Sequence, residues 1–150
     1  MDPDVDLHVP RMRDEMRPSP WPVLAAISAG GVVGALSRYA LALAWPHPAG
    51  GFAWSTLVTN VSGCFLIGVL MVIVDRGASR LLRPFAGVGV LGGFTTFSTY
   101  AVDAQRAAQA GRPGTALAYL AVTLVTALLA VWAGSALTTR LTGTPTAETA

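Results

Sequence analysis

The chain has 150 residues, of which 53% are hydrophobic and only 12% are charged, and its formal net charge is +2. A soluble domain usually carries about 25% charged residues, and nearly half of the charges here fall within residues 1–20. The remaining charges are too few to cover a water-exposed surface, and the ten basic residues, all arginine, form no basic stripe that would bind nucleic acid.

Residues 1–20 are polar, proline-containing and mixed in charge, which predicts a disordered N-terminal tail. Four apolar segments follow, and each approaches or exceeds the ~20 residues that span a ~30 Å hydrocarbon core as a helix. They lie at residues 21–45, 54–74, 82–102 and 115–137. We therefore predict an all-α membrane protein, with a four-helix transmembrane domain over residues 21–140 and a C-terminal tail over residues 141–150.

The arginines predict the orientation of this domain. Four spans place both termini and the second loop on one side of the membrane, which then carries seven arginines against two or three on the other. The seven are Arg11, Arg13, Arg17, Arg76, Arg80, Arg83 and Arg140; the others are Arg106, Arg112 and, if it reaches that interface, Arg38. The positive-inside rule places the seven in the cytoplasm, as in a multi-pass protein of the plasma membrane.

The first span carries Gly30, Gly34 and Arg38 at intervals of four residues. Small residues on one helix face allow a second helix to approach closely, so the glycines predict helix packing. Arg38 lies seven residues inside the span, where it acts either as an anchor that reaches the interface or as a functional cation in a vestibule that attracts anions.

In the second span, Asn60 stands among apolar neighbours. Its amide either bridges two helices or faces a polar path, and both interpretations place it against protein or water rather than lipid.

The third span contains "GVGVLGGFTTFSTY", in which four glycines fall within seven residues. Glycine tolerates unusual backbone conformations, so this segment predicts a helix that breaks at mid-membrane depth. The freed backbone groups must be satisfied by protein or by an ion. Hydroxyl groups follow at Thr95, Thr96, Ser98 and Thr99, and Phe97 and Tyr100 share a helix face, where their positive edges could flank a small anion.

In the fourth span, Tyr119, Thr123 and Thr126 form one polar stripe. The threonines either bond to their own backbone or form the wall of a polar track. No Asp, Glu, Lys or His lies in the middle of any span, with Asp103 at a span end, and the chain shows no nucleophile–base pair. We therefore expect neither an enzyme nor a proton-coupled pump.

Three segments resemble the Fluc (CrcB) family of fluoride channels: "GGVVGALSRY", "STLVTNVSGCFLIG" and "GVLGGFTTFSTY", in matching order and spacing. The resemblance extends over residues 26–137. It implies an antiparallel dimer, embedded in lipid, that exports fluoride passively and reduces its toxicity. It also implies a sodium ion that is not transported, bound at the dimer centre by backbone carbonyls at Gly92 and Thr95.

The same resemblance assigns the residues of the pore. Phe97 and Tyr100 occupy the two positions of the family's phenylalanine box, and the tyrosine is a departure from the family pattern. The other pore residues that it implies are Asn60, Tyr119 and Thr123. The hydroxyls of Thr96, Ser98 and Thr99 are predicted to join them because they can donate to an anion, and Arg38 is predicted to lie in the vestibule. Ala127 stands where a further hydroxyl of the track is expected, and Thr126 is offset from it by one residue.

Two alternative functions explain part of the sequence. A small four-span drug-efflux transporter of dual topology needs a membrane-embedded acid, which the sequence places in no span centre. A non-conducting assembly subunit would explain the glycines but not the clustered hydroxyls. The arginine bias leaves the partner open, as either a second copy or an oppositely oriented paralogue.

Overall fold

The computed structural model describes residues 20–48, 50–77 and 79–143; most of the two predicted tails, at 1–19 and 144–150, lies outside the described residues. Within this part, α1 is Trp21–Ala44, α2 is Trp54–Asp75, a π-helix is Arg83–Leu91, α3 is Gly92–Phe94, α4 is Phe97–Gln109 and α5 is Pro113–Thr142. No described residue lies in a β-strand. Four spans, Trp21–Ala44, Trp54–Asp75, Arg83–Gln109 and Pro113–Thr142, are long and apolar enough to cross a membrane, which confirms the predicted all-α membrane fold.

The third span is broken, as predicted, and the break lies just after the glycines rather than at them. Thr95 and Thr96 are extended, with ψ angles of 157° and 123°, and they separate α3 from α4. The glycine-rich part before the break forms the π-helix Arg83–Leu91, a wider coil that the sequence pattern did not predict.

The glycines allow α1 and the third span to meet backbone to backbone. A Cβ on Gly30 would collide with the carbonyl oxygen of Phe85, and one on Gly34 with that of Val90. On the opposite side, a Cβ on Gly89 would lie 2.7 Å from the carbonyl oxygen of Ile27. The predicted packing role of the α1 glycines is therefore confirmed.

A methyl group at this contact should destabilise the domain. We expect Gly34→Ala to lower the free energy of unfolding by about 1–3 kcal/mol, because overpacking forces the helices apart. Gly31→Ala is the matched control, since nothing lies within 4 Å of a Cβ at that position. Thermal unfolding in detergent measures both variants, and equal melting temperatures would contradict the close contact.

The second and fourth spans pack through two reciprocal notches, each a glycine whose missing side chain leaves room for a backbone carbonyl of the other helix. Gly68 of α2 receives the carbonyl of Val131, and Gly134 of α5 receives the carbonyl of Phe65, so neither glycine has room for a Cβ. At the end of this pair, the guanidinium of Arg76 donates to the carbonyl oxygens of Thr142, at 2.8 Å, and of Gly143. These bonds place the second loop and the C-terminal end of α5 on the same side, as predicted.

At the opposite end, the loop 45–53 folds over α4. Gly50, with φ of 75°, lies where a Cβ would meet Ala110. The third span runs to Gln109, beyond its predicted end at residue 102. Asp103 is therefore buried within α4, with 5% of its surface exposed, and the expectation that it lies at a span end is wrong.

Candidate functional site

Asn60, on α2, forms hydrogen bonds with the backbone of the break in the third span. Its Nδ2 donates to the carbonyl oxygen of Thr96 at 3.0 Å, and the N–H of Thr96 donates to its Oδ1 at 2.8 Å. One side chain of α2 thus satisfies both backbone groups of Thr96, which a membrane interior would otherwise leave unpaired. Of the two interpretations of Asn60, the structure shows the bridge directly.

This pairing redirects the hydrogen bonds of the break. The N–H of Thr96, which a continuous helix would direct to the carbonyl of Gly92, is taken by Asn60. Likewise, the N–H of Thr99 donates to the Oγ1 of Thr96 at 3.1 Å and not to the carbonyl of Thr95. The carbonyls of Gly92 and Thr95 thereby lose the donors that a regular helix would give them.

The hydroxyls after the break mostly organise the start of α4. Thr96 is the N-cap of this helix, and its hydroxyl also donates to the Oγ1 of Thr99 at 3.0 Å. The Oγ of Ser98 lies 3.3 Å from the Oγ1 of Thr96. A side-chain acceptor at the N-cap stabilises a helix by about 1 kcal/mol, so these residues have a structural role whatever else they bind.

A groove of about 450 Å³ opens beside the break. Its lining combines residues from α2, the break, α4 and α5: Asn60, Cys64, Thr95, Thr96, Phe97, Tyr100, Thr123, Leu124 and Ala127. The groove brings together most of the pore residues predicted from the sequence. Ser98, Thr99 and Tyr119 do not line it, and neither does Thr126, whose hydroxyl donates to the carbonyl of Val122 in its own helix.

The two aromatic residues of the third span differ in their surroundings. The ring of Phe97 is 79% exposed and lies 5.8 Å from that of Tyr100. The Tyr100 ring is partly buried, and its hydroxyl donates to the carbonyl oxygen of Leu120 at 2.9 Å. This bond ties α4 to α5 and commits the phenol to a backbone acceptor of α5, which the sequence could not show.

The polar stripe of α5 contains two hydroxyls without a partner. Tyr119 is 2% exposed and Thr123 is 4% exposed, and neither hydroxyl has a hydrogen-bond partner among the described residues. An unpaired buried hydroxyl costs about 1–3 kcal/mol. Thr123 lines the groove, so its hydroxyl can donate to an ion or water there, whereas the Tyr119 hydroxyl lies beside Thr56 and Asp103 and lines neither the groove nor the cavity beside Arg38.

Arg38 points toward the break. Its Nε donates to the carbonyl oxygen of Gly93 at 3.1 Å. The guanidinium also lines a cavity of about 200 Å³ whose other polar walls are Tyr39, Ser55, Thr56, Thr59, Thr96 and Thr99. A cation surrounded by hydroxyls suits an anion-attracting vestibule.

The sequence interpretation missed Asp103 as a buried group. Its Oδ2 accepts a hydrogen bond from the Oγ1 of Thr56 at 2.8 Å, and the residue is buried midway along α4. The sequence contains the partner, Thr56, one helical turn before Asn60 on α2. The two residues are 47 positions apart, however, so only the folded structure shows that they form a pair.

No group of three or more His, Cys, Asp or Glu side chains that could hold a metal ion occurs in the part of the chain that the structure describes. Hard cations also accept backbone and hydroxyl oxygens as ligands, and the break offers both kinds.

Several known proteins are similar to part of this sequence. It is 61% identical over 77 residues to the fluoride-specific ion channel FluC 2 of Nocardia farcinica, covering 50% of this chain and 55% of that protein. It is 58% identical over 78 residues to FluC 1 of Streptomyces coelicolor, covering 51% of each chain. Against FluC 2 of Streptomyces avermitilis it is 49% identical over 98 residues, covering 64% of this chain and 62% of that one. The chain thus matches between about half and three fifths of the length of these relatives.

The family description "CrcB-like protein, Camphor Resistance (CrcB)" matches residues 25–135. This range contains the break, the groove, the cavity beside Arg38, and the close contacts of α1 with the third span and of α2 with α5. Because it covers well over half of the chain, the protein belongs to the CrcB family.

Proposed function

We propose that the chain forms a fluoride-specific channel of the plasma membrane, through which fluoride leaves the cell passively and its toxicity is reduced. The observation that carries this proposal is the groove beside the break, where Asn60, Phe97 and the buried, unpartnered hydroxyl of Thr123 lie together. The names of three relatives, each a fluoride-specific ion channel, support it.

The groove chemistry suits a small, strongly hydrated anion. An anion that leaves water needs donors to replace its hydration, and hydroxyls can donate. Phe97 contributes a ring edge that carries partial positive charge. Arg38 raises the local anion concentration at the cavity beside Thr56. Together these groups give an anion a polar route past an otherwise apolar domain.

We further propose that the channel is an antiparallel dimer. Gly92 is exposed on the surface of the described subunit and Phe97 is 79% exposed. A carbonyl without a donor is not tolerated against lipid, so the surface around Gly92 needs a partner. That partner is either a second copy or an oppositely oriented paralogue.

A structural sodium ion fits the same surface. The carbonyls of Gly92 and Thr95 would hold it, because their helical donors are taken by Asn60 and Thr96. When bound, the ion supplies a positive charge that satisfies these oxygens. Arg38 already donates to the carbonyl of Gly93, so that oxygen is occupied by the protein itself.

Fluoride efflux from liposomes that hold the purified protein tests the function. We expect rapid fluoride release and chloride release that is slower by at least about a hundredfold, since the track matches a small anion. Proton-coupled export of an organic cation, without fluoride release, would favour the drug-efflux alternative. Release of neither solute would leave the assembly-subunit alternative.

The two aromatic residues should respond differently to substitution. We expect Phe97→Ala to lower fluoride flux by about tenfold or more while the subunit stays folded, because the ring is mostly exposed and contributes its edge to the path. Tyr100→Phe should retain flux within about twofold, since the phenol bonds to Leu120 and its loss costs about 1 kcal/mol.

Tyr100→Phe serves as the matched control for Phe97→Ala, since both variants alter the same aromatic pair. Liposome flux and thermal unfolding measure both. Unchanged flux in Phe97→Ala would contradict the anion-flanking role, and a large loss in Tyr100→Phe would show that the phenol itself contacts the anion.

A further inference from the structure

A histidine lies between solvent and the buried carboxylate at one end of the domain. His47 belongs to the loop 45–53, and its Nε2 lies 3.7 Å from the Oδ1 of Asp103. Its Nδ1 lies 3.5 Å from the Oγ of Ser55. The side chain of His47 is 25% exposed, against 4% for Asp103. Protons from that side of the membrane can therefore reach the imidazole, whereas the carboxylate is enclosed.

The carboxylate has one strong hydrogen bond and needs compensation for its charge. Thr56 donates to Oδ2, which leaves Oδ1 facing His47. A buried carboxylate is costly unless a cation or further hydrogen bonds compensate it. Among the described neighbours, the first residues of α2 contribute no charge, and the ionisable groups nearby are Asp103 and the exposed Arg106 on α4, Tyr119 on α5, and Arg38 and Tyr39 on α1.

The same loop lies over the end of the polar track. The ring of Phe52 packs edge-on against Tyr119, with ring centroids 5.3 Å apart. Tyr119 carries one of the two unpartnered hydroxyls, and Ser55 and Thr56 also line the cavity that contains Arg38. The charge of the His47–Asp103 pair therefore contributes to the electrostatic potential at the mouth of the track, where an anion would enter.

We propose that His47 sets the charge at this mouth and that its protonation increases fluoride conduction. With a neutral imidazole, Asp103 leaves a net negative charge beside the anion path, which opposes fluoride. With an imidazolium, the pair is neutral and the opposition is removed. Histidine side chains in general change their charge between about pH 5 and 8, which sets the two pH values to compare. This inference rests on the proposed fluoride function.

Fluoride current across a planar lipid bilayer tests the inference at pH 7.5 and at pH 5.5. Hydrogen fluoride is neutral and carries no current, so its leakage at acid pH does not contribute. We expect the wild-type current to rise by about threefold or more at the lower pH, since a unit charge within about 10 Å of the path has an effect of this order.

Three variants separate the two members of the pair. His47→Gln should hold the current at the low level at both pH values, because the side chain cannot become a cation. Asp103→Asn should hold it at the high level, because the negative charge is gone and the amide can still accept from Thr56. His47→Arg, a permanent cation, should also give the high level. His8→Gln is the matched control, since it removes the only other histidine of the chain.

The outcomes distinguish a failure of this inference from a failure of the proposed fluoride function. Absence of fluoride current in the wild type at both pH values would refute the proposed function. A wild-type current that is equal at both pH values would overturn the inference alone, and so would an unaltered pH response in His47→Gln. If Asp103→Asn fails to assemble, His47→Arg decides the sign of the effect, and a low current at both pH values in that variant would also overturn it.

Discussion

Replacing Asn60 by leucine should abolish fluoride flux and lower the free energy of unfolding by about 2–4 kcal/mol. Both hydrogen bonds to Thr96 disappear, which leaves a backbone N–H and a carbonyl unpaired in the interior, at about 1–3 kcal/mol each. The pairing that fixes Thr96 in its extended conformation would then be gone. The groove between α2 and the break would lose its shape at the same time.

Two matched variants identify the cause. Asn60→Asp retains the acceptor for the N–H of Thr96 but lacks the donor, so it should fall between wild type and Asn60→Leu. Ser62→Ala, on the same helix, removes a hydroxyl that bonds only to its own backbone, and it should be nearly neutral. Thermal unfolding and liposome flux measure all three. Wild-type stability in Asn60→Leu would show that the backbone of Thr96 finds other partners.

Gly92→Leu should lower fluoride flux by at least about a hundredfold while the subunit itself stays folded. Within the subunit, a Cβ at this position meets only the carbonyl oxygen of Gly87, at 3.9 Å, so the side chain has space. In the proposed dimer, the same side chain would project into the centre and separate the two subunits, because an inserted side chain at a close contact displaces its neighbour.

Thr95→Ser is the control for this prediction. The proposed sodium site uses the carbonyl of Thr95, which the substitution retains, so flux should stay within about twofold and the serine hydroxyl can still donate to Leu91. Size-exclusion chromatography with light scattering reports the dimer, and exchange of sodium for a large organic cation tests the site in the wild type. A Gly92→Leu dimer with full flux would refute both the central contact and the ion site.

The spans and the break were predictable because their signals are local. Apolar runs of about 20 residues determine the spans, and the glycines before Thr95 signalled an irregular backbone. The tight contact of Gly30 and Gly34 with the third span also follows from their spacing. These features depend on residue type and interval, both of which a single sequence contains.

The pairings across the fold were not predictable in the same way. Asn60 meets the backbone of Thr96 across 36 residues, and Tyr100 meets the carbonyl of Leu120 across 20. Backbone acceptors are present at every position, so no residue pattern indicates which one a side chain selects. The burial of Asp103 within α4 was equally hidden, because its contacts with Thr56 and His47 exist only in the folded chain.

The reciprocal notches at Gly68 and Gly134 restrict how the protein adapts to bilayers of different thickness. A sliding movement of α2 along α5 would drive side chains into the carbonyls of Val131 and Phe65, so this pair keeps a fixed register. At 30 residues, α5 is roughly 45 Å long, whereas the hydrocarbon core is about 30 Å thick. Mismatch with the lipid must therefore be absorbed by tilting the helix pair as a unit or by deforming the surrounding bilayer, and not by shear between the helices.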